Sequence, residues 1–140
     1  MQLKNHKILE VRKKSFCLEG GIATDAIIYY FYLDDYSWCS ITVCDGFLTI
    51  EKVEEPKLKY DIKDNEFDYL ITECNCYNEI KGRILGVYGY FFNGLRDECS
   101  GVYFYFDTGE SISIIENDDS LRLLYGKYER FQKPHDLIEM

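Results

Sequence analysis

Two short turn signals, each set between runs of alternating residues, limit what this chain can fold into more than any other feature. Ser37–Cys44 (SWCSITVC) places Trp38, Ser40, Thr42 and Cys44 on one face and Cys39, Ile41 and Val43 on the other. Asp45-Gly46 follows, and Phe47–Val53 (FLTIEKV) continues as a further strand. A period of two matches the pleat of a β-strand, and an Asp-Gly pair supplies the positive φ angles of a tight hairpin. Asp25–Leu33 (DAIIYYFYL), an apolar run bounded by polar residues, joins them to make a three-stranded meander.

The second signal repeats the plan. Ile84–Phe92 (ILGVYGYFF), the loop Asn93–Glu98, Cys99–Phe106 (CSGVYFYF), the turn Asp107-Thr108-Gly109 and Glu110–Ile115 (ESISII) form another meander, with Leu121–Tyr125 as a fourth strand. Laying Asp45-Gly46 over Asp107–Gly109 aligns SITVC-DG-FLTIE with VYFYF-DTG-ESISIIE, which predicts repeated units over 25–55 and 84–125. Between them, Phe67, Leu70, Ile71, Cys74 and Tyr77 fall at helical spacing. Asp64 or Asn65 would cap that short helix and Gly82 would follow it. Lys7–Leu18 supplies one or two more strands, and the polar tail after Gly126, with Pro134, is expected to fray. The predicted fold class is mainly β (α+β): antiparallel meanders with one short helix between them.

Thirteen Tyr and nine Phe support sheet, since aromatic side chains suit a pleated, half-buried surface. At 140 residues, with two prolines and no linker-like tract, the chain is expected to form a single domain spanning 1–140. A net charge of −9 argues against a nucleic-acid partner, which needs a basic face. No apolar segment follows the first basic residues, and the longest apolar runs, Ala26–Leu33 and Val102–Phe106, are too short to span a bilayer. The expectation is therefore a cytoplasmic protein with no membrane contact. Its six cysteines then read as free thiols, small and mostly buried.

Catalytic motifs are scarce. His6 and His135 lie near opposite termini, and no P-loop, nucleophile elbow, dinucleotide fingerprint or zinc-protease motif occurs. Cys74-Asn75-Cys76 lacks a second pair or a nearby His for zinc. Glu116-Asn117-Asp118-Asp119 lacks the spaced ligands and central Gly of a calcium loop. The residues predict no enzyme activity and no cofactor. Gly86 and Gly89, inside a strand, read as sites of bending or close packing.

The acids are placed more informatively. In an up-down-up meander, Asp45-Gly46 and Asp107–Gly109 close one end of each unit. The opposite ends then carry Asp34, Asp35, Glu51, Glu54 and Glu55 in the first unit, and Asp97, Glu98, Glu116, Asp118 and Asp119 in the second. Only Lys52 and Arg96 accompany them. Tyr32, Tyr36 and Trp38 stand nearby, and Tyr and Trp are favoured interface anchors. Solvated loop tips and core aromatics are the plainer explanation of the same pattern. Whether the two acidic ends share one side depends on how the units pack.

The stretch GRILGVYGYFFNGLRDECSGVYFYFDTGESISIIENDDSLRLLYG, residues 82–126, resembles immunity proteins of bacterial polymorphic toxin and contact-dependent growth-inhibition systems. DGFLTIEKVEE echoes the pattern in the first half. The resemblance implies a cytoplasmic inhibitor that binds a cognate toxin's C-terminal domain, commonly a basic nuclease, and blocks its active site. It carries over no catalytic residue. The residues expected at the toxin are Asp34, Asp35, Tyr36, Asp97, Glu98, Glu116, Asp118 and Asp119. The alternative is a small-ligand or carbohydrate-binding β domain that uses its surplus of aromatic residues.

Overall fold

The computed structural model of the protein describes residues 2–63, 66–75 and 80–140. It is mainly β. One five-stranded antiparallel sheet contains β1 (Ile8–Leu18), β2 (Gly21–Leu33), β3 (Trp38–Cys44), β4 (Phe47–Val53) and β5 (Phe67–Glu73), in spatial order β4-β3-β2-β1-β5. The second contains β6 (Ile84–Phe92), β7 (Cys99–Phe106), β8 (Ser111–Asn117), β9 (Ser120–Tyr125) and β10 (His135–Glu139), in order β10-β6-β7-β8-β9. Inner faces of both sheets share one apolar core. Phe31, Leu33 and Ile41 come from the first sheet, and Phe104, Phe106 and Ile112 from the second, all fully buried. Phe31 and Phe104 meet edge to face, with ring centroids 5.3 Å apart.

Three expectations need correction. Phe67, Leu70 and Ile71 lie on strand β5 rather than on a helix, and no α-helix occurs among the described residues. Phe67, Leu70 and Ile71 fit a helical period, whereas Phe67, Tyr69 and Ile71 fit a strand's. Sheet wins because β1 runs eleven residues and its outer edge needs a partner, which Phe67–Glu73 supplies from Leu18 to Arg12. Tyr77 and the proposed caps Asp64 and Asn65 lie outside the described residues. The C-terminal tail does not fray as a whole: His135–Glu139 pairs with Phe92–Tyr88 of β6 and satisfies that strand's free edge.

The third correction concerns the repeat. Both sheets have one plan, a four-stranded meander whose fifth strand returns to the far side of the first. β1–β5 therefore correspond to β6–β10, one hairpin away from the alignment centred on Asp45-Gly46 and Asp107–Gly109. In this register the sequences match without gaps over 27–52 and 100–125, with identities at Tyr30/Tyr103, Phe31/Phe104, Tyr32/Tyr105, Asp34/Asp107, Ser40/Ser113, Ile41/Ile114, Asp45/Asp118 and Leu48/Leu121. Ile8/Ile84, Leu9/Leu85 and Val11/Val87 match in the leading strands. The halves meet at matched positions. Lys7 and Arg83 form a β-bridge, Asp34 N–H donates to Lys7 O at 3.0 Å, and Asp107 N–H donates to Arg83 O at 2.9 Å.

Each meander ends at the wrong edge for its fifth strand, so the connection must cross the sheet's outer face. After β4, Pro56 O accepts a 2.7 Å hydrogen bond from Arg12, an outer-face residue of β1. That crossing helps bury Arg12, Tyr30 and Trp38, which lie outside the central core. After β9, the same manoeuvre covers Tyr90 and Ser113. Gly126 O accepts from Ser113 Oγ, Tyr128 N–H donates to Tyr90 Oη, and the two hydroxyls bond at 2.7 Å. Phe131 then packs on Tyr90 and stacks on His135. No helix among the described residues is long and apolar enough to cross a membrane.

Candidate functional site

Tight turns set the charge at the two ends of the sandwich. Asp45 and Gly46 adopt φ of 50° and 83°, while Asp118 and Asp119 adopt 53° and 62°, in matched hairpins of the two halves. Asp tolerates the left-handed region better than most residues, and that local need places carboxylates at both tips. The Asn93–Glu98 loop closes against the first tip. Cys99 N–H donates to Gly46 O at 2.8 Å, and a Cβ on Gly46 would lie 2.2 Å from Asp97 O. This end therefore gathers Asp45, Asp97, Glu98, Glu116, Asp118 and Asp119.

Among the described residues, none of these six carboxylates forms an ion pair. Glu116 accepts the Asp119 N–H at 3.0 Å, an internal turn contact. Arg96, in the same loop, lies over the Phe91 ring, 5.2 Å from its centroid. The unbalanced field acts on Cys44, the one exposed thiol among the described cysteines. Asp45 first, then burial and the charges of Asp119 and Glu116, push its pKa up.

Asp34, Asp35 and Tyr36 lie at the other end, so the structure separates the expected site into two groups. Sheet packing joins the Asp34–Ser37 turn to the Asp107 turn through Arg83. The Arg83 guanidinium donates to Asp34 Oδ2 at 2.9 Å, and the Arg83 N–H donates to Asp107 Oδ1 at 2.9 Å. His6 Nδ1 lies 2.9 Å from Asp34 Oδ1. The hydrogen bond from His6 leads, with the Lys7 main chain and Arg83 adding to it, in holding the Asp34 carboxyl below the usual range. Asp34 is thus a tie between the halves. Asp35 accepts from Ser37 Oγ at 2.6 Å and Ser37 N–H at 3.1 Å, and this also lowers its pKa. Tyr36 is different: it is 79 % exposed at φ 65°, with Tyr32 beside it.

The charged site residues that sequence reasoning omitted follow from the same packing. Asp45 was assigned to the end away from the acids, yet it belongs to the acidic end. Its signal was the match of Asp45 with Asp118. Glu51, Glu54 and Glu55 flank β4 and its exit; Glu55 faces Arg12 at 3.3 Å.

Hollows accompany these surfaces among the described residues. One of ≈320 Å³, lined by Leu3, Leu48, Ile50, Val87 and Met140 among others, opens beside β4. A second, of ≈310 Å³, is lined by Tyr88, Tyr103, Tyr105, Lys127 and Leu137 on the outer face of the second sheet. A third, of ≈560 Å³, lies where the crossing segment passes the Glu116–Asp118 strand end. His135 Nε2 contacts Ser100 Oγ at 2.8 Å and its Nδ1 faces Lys133 O at 2.9 Å. Among the described residues no group of three or more His, Cys, Asp or Glu side chains is placed to hold a metal ion. Comparisons with family models, with curated proteins and with solved structures found no match to this chain.

Proposed function

We propose that this protein is an immunity-type inhibitor that binds a basic toxin domain one to one in the cytoplasm and covers its active site. The observation that supports this reading is the acidic end. Six carboxylates, none in an ion pair among the described residues, converge there from turns and strand ends of both sheets. Opposite charge speeds capture of a basic groove, while like charge repels nucleic acid that would otherwise compete. The resemblance of residues 82–126 to immunity proteins points the same way. In this reading the toxin is a nuclease, and the inhibitor contributes no catalytic group.

The test is calorimetry and stopped-flow binding against the toxin domain encoded beside this gene, at low and high salt. Asp118→Asn with Asp119→Asn removes two charges while keeping a residue that accepts the left-handed backbone, which lysine would strain. The expected result is tight one-to-one binding, with an association rate that falls on the order of tenfold in the variant and in high salt. Tight binding indifferent to both would discard the electrostatic mechanism, and no binding at either salt would discard the inhibitor.

A carbohydrate-binding reading has one observation in its favour, the hollow lined by Tyr88, Tyr103 and Tyr105. Tyrosine rings stack on sugars, so saturable changes in their NMR signals with an oligosaccharide panel would promote that reading.

A further inference from the structure

The internal duplication gives each sheet edge a counterpart, and one pair of counterparts differs. In a hairpin closed by a two-residue turn, the flanking residues exchange hydrogen bonds. Every second residue from there turns its N–H and C=O away from the partner strand. On β9 the outward residues are Leu121, Leu123 and Tyr125; on β4 their counterparts are Leu48, Ile50 and Lys52. The β9 edge is covered at its centre. Leu121 and Leu123 are buried, and the Leu123 N–H donates to Tyr29 Oη at 3.2 Å. The counterpart of Tyr29 is Val102, which has no side-chain oxygen. Leu48 and Ile50 are only half-buried. Among the described residues no main-chain partner meets the outward groups of Leu48, Ile50 and Lys52.

The remaining edges are treated differently. Lys59 pairs both main-chain groups with Ile71 of β5 at 3.0 Å, and β10 is five residues long. Among the described residues, β4 alone combines an open seven-residue edge with a hollow of ≈320 Å³, lined by Leu48, Ile50, Leu3, Val87 and Met140 beside Gln2 and Lys4. An added strand would lie about 4.8 Å from β4, aligned with that hollow.

We propose that the β4 edge docks an extended strand of the partner, with alternating apolar residues and Lys or Arg at both ends. This rests on the reading of the protein as an inhibitor of a basic partner, and it names the docking mode. Charge selects the occupant. Asp45, Asp97 and Glu98 stand at one end of β4; at the other, Glu51 and Glu54 outnumber Lys52, while Glu55 is shared with Arg12 at 3.3 Å. Lys4, beside the hollow, is committed to Glu139 at 2.7 Å. A second copy of the chain is opposed by the same charges. Antiparallel pairing centred on Ile50 would set Asp45 beside Glu55 of the other copy, at both ends.

The experiment titrates the full, isotope-labelled chain with a synthetic peptide of alternating Val and Thr, flanked by lysine pairs. The expected result is saturable shifts and slowed amide exchange centred on Leu48, Ile50 and Lys52. The same peptide N-methylated at alternate amides should not bind. Lys52→Pro removes an outward N–H that β3 does not use, so the fold survives while peptide affinity falls about tenfold, the worth of one hydrogen bond. Shifts centred elsewhere, equal binding of the methylated peptide, or indifference to Lys52→Pro would overturn the proposal. Self-association abolished by Lys52→Pro would also overturn it, by assigning the edge to a second copy. Toxin binding that keeps its salt dependence while the peptide fails removes this docking mode alone. Peptide binding beside toxin binding indifferent to Asp118 and Asp119 removes the electrostatic mechanism alone.

Discussion

Arg12 should hold the first crossing segment to its sheet, and removing its guanidinium should cost a large part of the protein's stability. The side chain is 9 % exposed, donates to Pro56 O at 2.7 Å, and lies over Trp38 with 4.5 Å to the ring centroid. It also pairs with Glu10 and, at 3.3 Å, with Glu55. In Arg12→Met the buried, charge-assisted bond to the carbonyl accounts for about 1.5–3 kcal/mol. The ring contact adds about 1 kcal/mol. Glu10 and Glu55 are 31 % and 62 % exposed, so screening reduces each ion pair to a few tenths. The total is about 3–4.5 kcal/mol, against about 5–15 kcal/mol for an ordinary domain. Arg12→Lys keeps the charge but loses the planar fork, and should cost roughly half as much. Urea unfolding followed by the emission of Trp38, the sole tryptophan, reads this directly. Exchange at the paired Lys59 and Ile71 amides should accelerate in step, because both lie beyond the clamp. A loss below about 1 kcal/mol, with those amides still protected, would refute the clamp.

Two further perturbations separate local strain from packing and charge. Gly46→Ala should destabilise by several kcal/mol, because its φ of 83° and the 2.2 Å clash of the added Cβ with Asp97 O act together. Gly109→Ala, at φ 87° with nothing within 4 Å, should cost only about 1 kcal/mol in the same urea assay. Asp68 has its pKa lowered to about 2, chiefly by the Lys59 bond and then by the Tyr69 N–H. A depressed carboxylate pKa contributes stability that is complete above the unfolded value near 4 and is lost as pH falls through about 2. Asp68→Asn should therefore flatten the acid limb of stability against pH between those values; an unchanged limb would show that the Lys59 tie is not maintained in solution.

Local chemistry was legible where one period and one turn type competed with nothing else. Phe47–Val53, Ile84–Phe92 and Cys99–Phe106 are strands with the bounds their alternation and flanking turns imply. β5 was hidden because Phe67, Leu70 and Ile71 satisfy helical spacing while Phe67, Tyr69 and Ile71 satisfy strand alternation. Only the long unpaired edge of β1, a tertiary feature, decides between them. β10 was hidden because its five residues carry little apolar signal by themselves, although Leu137 and Ile138 are half-buried beside β6. The acidic site was half legible. Turn chemistry located the carboxylates, but the choice of which turns share an end belongs to sheet packing. That packing joined Asp34 to Arg83 and Asp107, and brought Asp45 to the Asp118-Asp119 tip.

The duplication explains both the symmetry of the fold and the places where it fails. Phe31/Phe104, Asp34/Asp107 and Ser40/Ser113 each do the same structural work twice. Phe31 and Phe104 meet in the core, Asp34 and Asp107 tie the same junction, and both serines are buried on outer faces. Two duplicated meanders need bury only one surface between them, so either half is free to change wherever it does not face the other. Among the many changes, some bear on one end and one edge. The short Glu19-Gly20 turn is replaced in the second half by the acidic Asn93–Glu98 loop, and Gly46 is matched by Asp119. At the edge, Tyr29 closes β9 through Leu123 while Val102 leaves Ile50 of β4 open. The Asn93–Glu98 loop lies against the tip of the β3–β4 hairpin, so the added charge and the open edge adjoin. The halves' departure from symmetry at adjoining positions is what a shared binding surface would require.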